Sequence, residues 1–300
     1  MIEASNLWKT FGDFTAVQEI SFDVKEGEIF GIAGPNGAGK STIVKMLCTI
    51  LEPTRGTASI NGFDILKDSK KIREIIGYLP EEPRVYDYMN GVEYLELFAD
   101  MYGTKNDVHK LLEFVGLKEH ELRKVGDYSK GMKQRLSIAR ALVHEPEILI
   151  LDEPTMGLDP SSARELREKI LDMKKKKKTI VLCTHYMDEA DFLCDKLVIL
   201  EKGKIAAYDR VDVLKEKHAK TRKIRISVIE EIPIEQLETI FQGERRGRKI
   251  EIPVDGNVES RTVEIIEKAL HNNLHILSLE TVYPSLEEVF VEVIKDKSFV

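Results

Sequence analysis

Between residues 2 and 30, apolar positions come in short β-like runs, clearest at 16–24, broken by turn signals at Gly12-Asp13 and Glu26-Gly27. This pattern predicts a small antiparallel sheet. Residues 28–33 (EIFGIA) form an apolar run of strand length, after which Ile43, Met46, Leu47 and Ile50 recur at helical spacing. A turn at Pro53-Thr54-Arg55-Gly56 precedes a strand at 57–60, which Asn61-Gly62 closes as a hairpin. A helix over 69–74 and a strand at 75–79 follow. From Glu82 to His144 the period becomes helical: Tyr94, Leu97, Phe98 and Met101 share one face, and Leu111, Leu112, Val115 and Leu117 another, near the break at Gly116. Met132, Leu136, Ala139 and Val143 make a third stripe. A helical block set into an α/β chain, about 82–145, predicts an inserted subdomain. Two fully apolar runs, 148–151 and 179–183, read as buried strands. Between them Asp159-Pro160 caps and opens a helix that runs to Met173.

Near residue 219 the composition shifts, with basic clusters at Arg222, Lys223 and Arg225 and at Arg245, Arg246, Arg248 and Lys249. Each cluster flanks a strand or occupies a turn. The pattern gives strand 224–229, helix 234–241, strand 249–253, helix, strand 275–282 and helix. Val263, Ile266, Leu270 and Leu274 are expected to form the buried stripe of one helix, and Leu286, Val289, Phe290 and Val293 that of the last. A chain of 300 residues exceeds what one core usually holds. The expectation is a first domain over 1–218 and a small α+β domain over 219–300.

Hydrophobic residues at 42% and charged residues at 32% describe an ordinary globular chain, not a disordered one. A net charge of −7 offers no global attraction for nucleic acid. The lysine run at 174–178 ends a helix, where the macrodipole favours cations, and reads as a solvated end. Cys48, Cys183 and Cys194 lack zinc-site spacing and are expected to be buried free thiols in a reducing compartment. The N-terminus shows no leader pattern and no run reaches the length of a membrane span, so a cytoplasmic location is expected.

The chemistry centres on Gly34-Pro35-Asn36-Gly37-Ala38-Gly39-Lys40-Ser41-Thr42, which fits GxxxxGK[ST] without a gap, between a predicted strand and a predicted helix. The glycines at 34, 37 and 39 let backbone N–H groups turn in on phosphate oxygens, and the helix N-terminus adds positive charge. Lys40 is expected to reach the β- and γ-phosphates of a nucleoside triphosphate, and the Ser41 hydroxyl to hold Mg²⁺. Asp152 and Glu153 end a buried strand downstream of the loop: Asp152 is expected on Mg²⁺, and Glu153 close enough to polarise the attacking water. His185 stands just past the end of another strand, at the sheet edge where ligands bind. Phe11 is weighed between core packing and stacking on an adenine base. The expected fold is α/β: a phosphate-loop NTPase core with an antiparallel β subdomain, an inserted helical subdomain and a small C-terminal α+β domain.

With these motifs in this order, residues 1 to about 215 resemble the nucleotide-binding subunits of ATP-binding cassette (ABC) transporters. The resemblance implies that Ser129 and Gly131 belong to a signature motif, that Glu81 stands where the family usually has a glutamine, and that Asp159 is the aspartate of the loop after the carboxylates. It also implies that His185 is a switch histidine and that Phe11 occupies the adenine-stacking position. Glu81 would then stand beside Ser41 and Asp152 at the metal. Two departures are visible: Lys130 replaces the first glycine of the usual LSGGQ signature, and Glu81 replaces glutamine. Both look like a subgroup associated with export of drugs, sodium or lipid-linked material, and the carboxy-terminal domain is similar to that subgroup's extension. The implied partners are a second nucleotide-binding subunit, by default a homodimer, and an integral membrane permease subunit that holds the chain at the cytoplasmic face; no nucleic acid is expected. One alternative, a soluble cassette ATPase acting on nucleic acid or the ribosome, lacks support because long coiled coils, zinc cysteines and a second cassette are missing. Another, a regulatory ATP-binding module, is disfavoured by the presence of Lys40, Asp152, Glu153 and His185 together.

Overall fold

The structure, a computed structural model, describes residues 1–217, 222–230, 232–247, 249–254 and 257–295. By internal contacts the chain divides into two compact units, Met1–Val211 and Asp212–Val300. The boundary expected between 218 and 219 lies outside the described residues.

In the first unit β1 (Ile2–Phe11) and β2 (Phe14–Val24) form an antiparallel hairpin, followed by β3 (Ile29–Ala33) and α1 (Lys40–Leu47). Next come β4 (Arg55–Ile60), β5 (Phe63–Asp64), α2 (Ser69–Ile75) and β6 (Ile76–Leu79). The helical block holds α3 (Gly91–Tyr102), α4 (Val108–Phe114) and α5 (Lys130–Leu142). Then follow β7 (Ile148–Asp152), α6 (Pro160–Lys175), β8 (Thr179–Thr184), α7 (Met187–Leu193), β9 (Lys196–Glu201) and β10 (Lys204–Arg210); α8 (Val211–Lys217) starts at the last residue of this unit, and the rest of it falls in the second.

One sheet is antiparallel, in the order β2-β1-β4-β5; the other runs β10-β9-β3-β8-β7-β6. In the second sheet every pairing from β9 to β6 is parallel, and only β10 is reversed. Parallel strands covered on both faces must be apolar throughout, and β3, β7 and β8 are buried at every position. Their carboxyl ends all point to one edge. The helices begin where their caps dictate: Asn90 and Glu93 form a reciprocal capping box for α3, and the Asp159 carboxylate accepts from Ser161 and Ser162 N–H to start α6 at Pro160.

The second unit holds β11 (Arg222–Val228), α9 (Ile234–Phe241), β12 (Glu244–Arg246), β13 (Lys249–Val254), α10 (Val258–His271), β14 (Ile276–Val282) and α11 (Leu286–Lys295). Its sheet is antiparallel in the order β12-β13-β11-β14. This βαββαβ arrangement is ferredoxin-like, with α11 appended. Ile224, Ile226, Ile250 and Ile252 pack with Leu237, Phe241, Ile265 and Ala269 into one core. The reverse face of the sheet is polar; there Glu251, only 5% exposed, takes two bonds from Arg225 and lies near Lys223 and Arg246.

Several expectations are corrected. On α3 the buried positions are Gly91, Val92, Tyr94, Leu95 and Ala99; of the face read from the sequence Tyr94 is buried, while Met101 is 72% exposed. On α10 the buried positions are Ile265 and Ala269, and Val263, Ile266 and Leu270 are exposed. Two apolar arcs compete there, and the core takes the one containing Ile265 and Ala269. The lysine run is not simply solvated: Lys174 pairs with Asp195, and Lys178 donates to the carbonyls of Glu145 and Pro146. Strand β12 (Glu-Arg-Arg) has no apolar signal and exists only through pairing with β13. All three cysteines are buried free thiols, as expected. Among the described residues, no helix is long and apolar enough to cross a membrane.

The α10 correction is testable. Ile265→Ala should cost about 2–5 kcal/mol in the second unit, whereas Leu270→Ala should stay within about 0.5 kcal/mol. Hydrogen exchange of the β13 amides in the full chain should speed up in the first variant and not in the second.

Candidate nucleotide site

The loop of residues 34–39 turns from β3 into α1 through positive-φ backbone at Gly37 (79°) and Gly39 (103°). A side chain at Gly39 would place its Cβ 2.6 Å from the Ala16 carbonyl oxygen, so this position needs glycine for space as well as for conformation. Lys40 is buried at the head of α1, and its ammonium donates to the carbonyls of Gly34 at 2.8 Å and Pro35 at 3.2 Å. It also lies 3.9 Å from Glu153 Oε1.

A cleft of about 330 Å³ opens over the loop. Asn36, Gly37, Gly39, Lys40, Ser41 and Thr42 form its floor, Phe11 and Phe14 one end, and Glu81 and Glu153 its acidic wall. Phe11 is 48% exposed and is therefore not a core residue. The polar side chains meet because of strand order. β8 lies between β3 and β7, so the turn after β8 faces both the loop and the carboxylates. Asp152 pairs with Cys183 across the ladder, and Glu153 N–H donates to the Cys183 carbonyl at 2.9 Å. Glu153 adopts φ 52°, an uncommon conformation for a residue with a side chain. His185 Nδ1 stands 2.8 Å from Glu153 Oε1, within ion-pair distance but without the alignment of a hydrogen bond.

Asp152 is 1% exposed and its carboxyl is pushed up to about 6. Burial is the largest cause; a hydrogen bond with Ser41 opposes it, while the neighbouring Glu81 and Glu153 raise it further. Burial, with Asp152 alongside, also pushes the Cys48 and Cys183 thiols up and keeps them protonated.

Residues 17–156 match the family model described as ABC transporter. The chain is 33% identical to the linearmycin resistance ATP-binding protein LnrL of Bacillus subtilis (strain 168), over 97% of this chain and 97% of that one. The chain belongs to the ABC transporter family. It is the ATP-binding, ATP-hydrolysing subunit of such a transporter. The ABC subunit is also 38% identical to the fluoroquinolones export ATP-binding protein of Mycobacterium tuberculosis, covering 93% of this chain and 87% of the relative. Among solved structures, an ATP binding subunit of an ABC transporter aligns with TM-score 0.67 and 30% identity, over 80% of this chain and 98% of that one. The cassette MJ0796, a dimer in a post-hydrolysis state bound to ADP and Pi, aligns with TM-score 0.65 and 25% identity, over 70% of this chain and 99% of that one. ABC ATP-binding subunits dimerise and act with a membrane subunit.

Within one ABC subunit, not every predicted residue meets at the cleft. Ser129 caps α5, its hydroxyl accepting from Met132 N–H at 3.2 Å, and Gly131 packs against Leu158. The Lys130 side chain lies against Gly157. Ser129, Gly131 and Asp159 thus belong to a second surface, away from the lining of the cleft. Sequence reasoning missed Phe14, which faces Phe11 across the hairpin, and Gln134, a buried side chain on α5 whose amide donates to the Pro154 carbonyl at 3.1 Å. An exposed aromatic after Gly12-Asp13 was the available signal for Phe14; Gln134 sits mid-helix with none.

Asp152 Oδ1 is buried without a hydrogen-bond partner, next to the Ser41 hydroxyl. Two hard oxygens of this kind fit a magnesium ion, which keeps most of its shell in water and phosphate. Among the described residues, no three His, Cys, Asp or Glu side chains form a closed ligand cluster, and Glu81 acts on Asp152 as a neighbouring charge.

Folding opposes ionisation of Asp152, whose carboxyl titrates near 3.8 when free and near 6 in the ABC subunit. Between those values the folded chain binds more protons than the unfolded one, so nucleotide-free stability falls as pH rises from about 4 to about 6. Asp152→Asn should remove this loss. Urea melts should find the variant more stable by about 1–3 kcal/mol at pH 7.5, with the gap at least halved at pH 4.5.

Proposed function

We propose that this ABC subunit powers export through a separate membrane subunit, with the cleft over residues 34–42 as its hydrolytic site. The observation that carries this reading is the meeting of Lys40, Asp152, Glu153 and His185 at the ends of three adjacent strands. Backbone N–H groups of Gly34, Asn36, Gly37, Ala38 and Gly39 take the phosphates, with Pro35, which has no N–H, shaping the loop, Thr42 behind it and Phe11 stacked on the adenine. Lys40 exchanges its loop carbonyls for β- and γ-phosphate oxygens. Ser41 and Asp152, with Glu81 at their flank, would hold Mg²⁺, which would supply charge neutralisation on the phosphates. Glu153 orients and polarises the attacking water, and His185 holds the Glu153 carboxylate in place.

Ser129, Gly131 and Asp159, outside the cleft of their own chain, complete the site of a second copy packed head to tail. A homodimer is the simplest such pair. A groove of about 230 Å³ between β6, α3 and α5, lined by Tyr78, Phe98, Tyr102, Arg73, Arg140 and His144, is the contact proposed for the membrane subunit, which would hold the chain at the cytoplasmic face. Residues 1–218 would be the nucleotide-binding domain, with 82–145 as the helical subdomain, and 219–300 an accessory domain. The two relatives named for linearmycin resistance and fluoroquinolone export favour a drug-like cargo.

Lys40→Ala removes the cation that meets the phosphates and should abolish ATP turnover in a phosphate-release assay; wild-type turnover would place the reaction elsewhere. Glu153→Gln should lower turnover by about 10² to 10⁴ while ATP still binds. That variant should accumulate as an ATP-dependent dimer in size-exclusion chromatography, and adding Ser129→Arg should return it to monomer. A Glu153→Gln chain that stays monomeric in saturating ATP and Mg²⁺ would point instead to closure with a different partner.

A further inference from the structure

One turn beyond His185, Glu189 of α7 is 1% exposed. A carboxylate so deeply buried is costly unless it is paired. Neither of its oxygens makes an aligned hydrogen bond. Its surroundings are specific all the same. The Thr155 and Thr184 hydroxyls and the Arg167 guanidinium lie beside it, and Glu153 is close enough to act on it as a like charge. Arg167, on α6, has its Nε buried and unpartnered, and its other end reaches Asp188 at 3.4 Å.

These groups come from separate segments. Thr155 lies two residues after Glu153 in the turn that leads to Asp159, and Thr184 immediately precedes His185. Both threonines are buried, and Thr184 Oγ1 already accepts from Tyr186 N–H at 3.0 Å. The Glu153 turn is itself held in a strained conformation, at φ 52°, which persists only if its surroundings enforce it. One buried carboxylate therefore stands beside a hydroxyl from each turn, without hydrogen-bond alignment to either.

We propose that Glu189 is a positioning residue for hydrolysis: through the Thr155 and Thr184 hydroxyls it fixes the turn bearing Glu153 against the turn bearing His185. It touches neither nucleotide nor water, and its effect passes through the 2.8 Å approach of His185 to Glu153. The inference rests on the hydrolytic site proposed above. Loss of that anchor should loosen the catalytic geometry and leave the phosphate loop intact.

The test uses the full chain and ATP with Mg²⁺. Glu189→Ala should lower kcat at least ten-fold, with KM and the affinity for ATP within three-fold of wild type. Glu189→Gln, which keeps an acceptor oxygen at the same reach, should recover most of that loss. In a Glu153→Gln background, where no carboxylate is left to position, Glu189→Ala should change the residual rate less than two-fold. Thr155→Val, an isosteric loss of one hydroxyl, should lower kcat at least three-fold with unchanged ATP affinity, and it decides the matter if Glu189→Ala does not fold. Unchanged kcat in Thr155→Val or Glu189→Ala would overturn the proposal, as would an undiminished effect of Glu189→Ala in the Glu153→Gln background. Failure of the hydrolytic-site reading itself would show separately, as wild-type turnover in Lys40→Ala.

Discussion

Parallel pairing of β3, β8 and β7 is the constraint on which the site depends. In a parallel sheet all carboxyl ends share one edge, so residues more than a hundred positions apart become neighbours without any dedicated contact between them. Because β8 is the middle strand, its outgoing turn has the phosphate loop on one side and the carboxylates on the other. The Glu153 N–H to Cys183 carbonyl bond extends the ladder one residue past β7 and fixes where that carboxylate starts its turn. Shortening any of the three strands would move Lys40, Glu153 or His185 out of reach of the others.

Around that edge the electrostatics are those of a site waiting for charge. Lys40 is buried and spends its donors on carbonyls of its own loop, a weaker set of acceptors than phosphate oxygens. Asp152 is held towards its neutral form by burial and by the carboxylates beside it, and one of its oxygens has no partner. Both conditions would reverse on binding a polyanion together with a divalent cation: the lysine would gain stronger acceptors, and the aspartate a counter-charge that lowers the cost of its ionised form.

The second unit follows different rules. Its ferredoxin-like sheet buries one face under α9 and α10 and leaves the other polar, where Glu251 is neutralised by Arg225 with Lys223 and Arg246 nearby. The basic clusters that mark this region in the sequence are thus partly spent inside its own sheet. Such a fold hosts many unrelated functions, so its role has to be read from its surfaces and not from its topology.

The sequence by itself determined the phosphate loop, the strand and helix on either side of it, and the carboxylate pair at the end of a buried run. These are local facts: glycine spacing, apolar runs and caps act within a few residues of backbone, and Asp159 caps α6 as its position before Pro160 requires. Faces were less legible where a helix offered two apolar arcs, because in α10 the sheet surface, and not the period, selected Ile265 and Ala269 over Val263, Ile266 and Leu270. Strand β12 carried no signal, since its pairing with β13 comes from the partner strand's free edge. Only the tertiary structure decided that His185 faces Glu153, that Gln134 donates to the Pro154 carbonyl behind it, that Glu189 is buried beside these turns, and that Ser129 and Asp159 stand away from the cleft of their own chain. Those relations depend on strand order and on packing between segments far apart in the chain, which no local pattern of residues encodes.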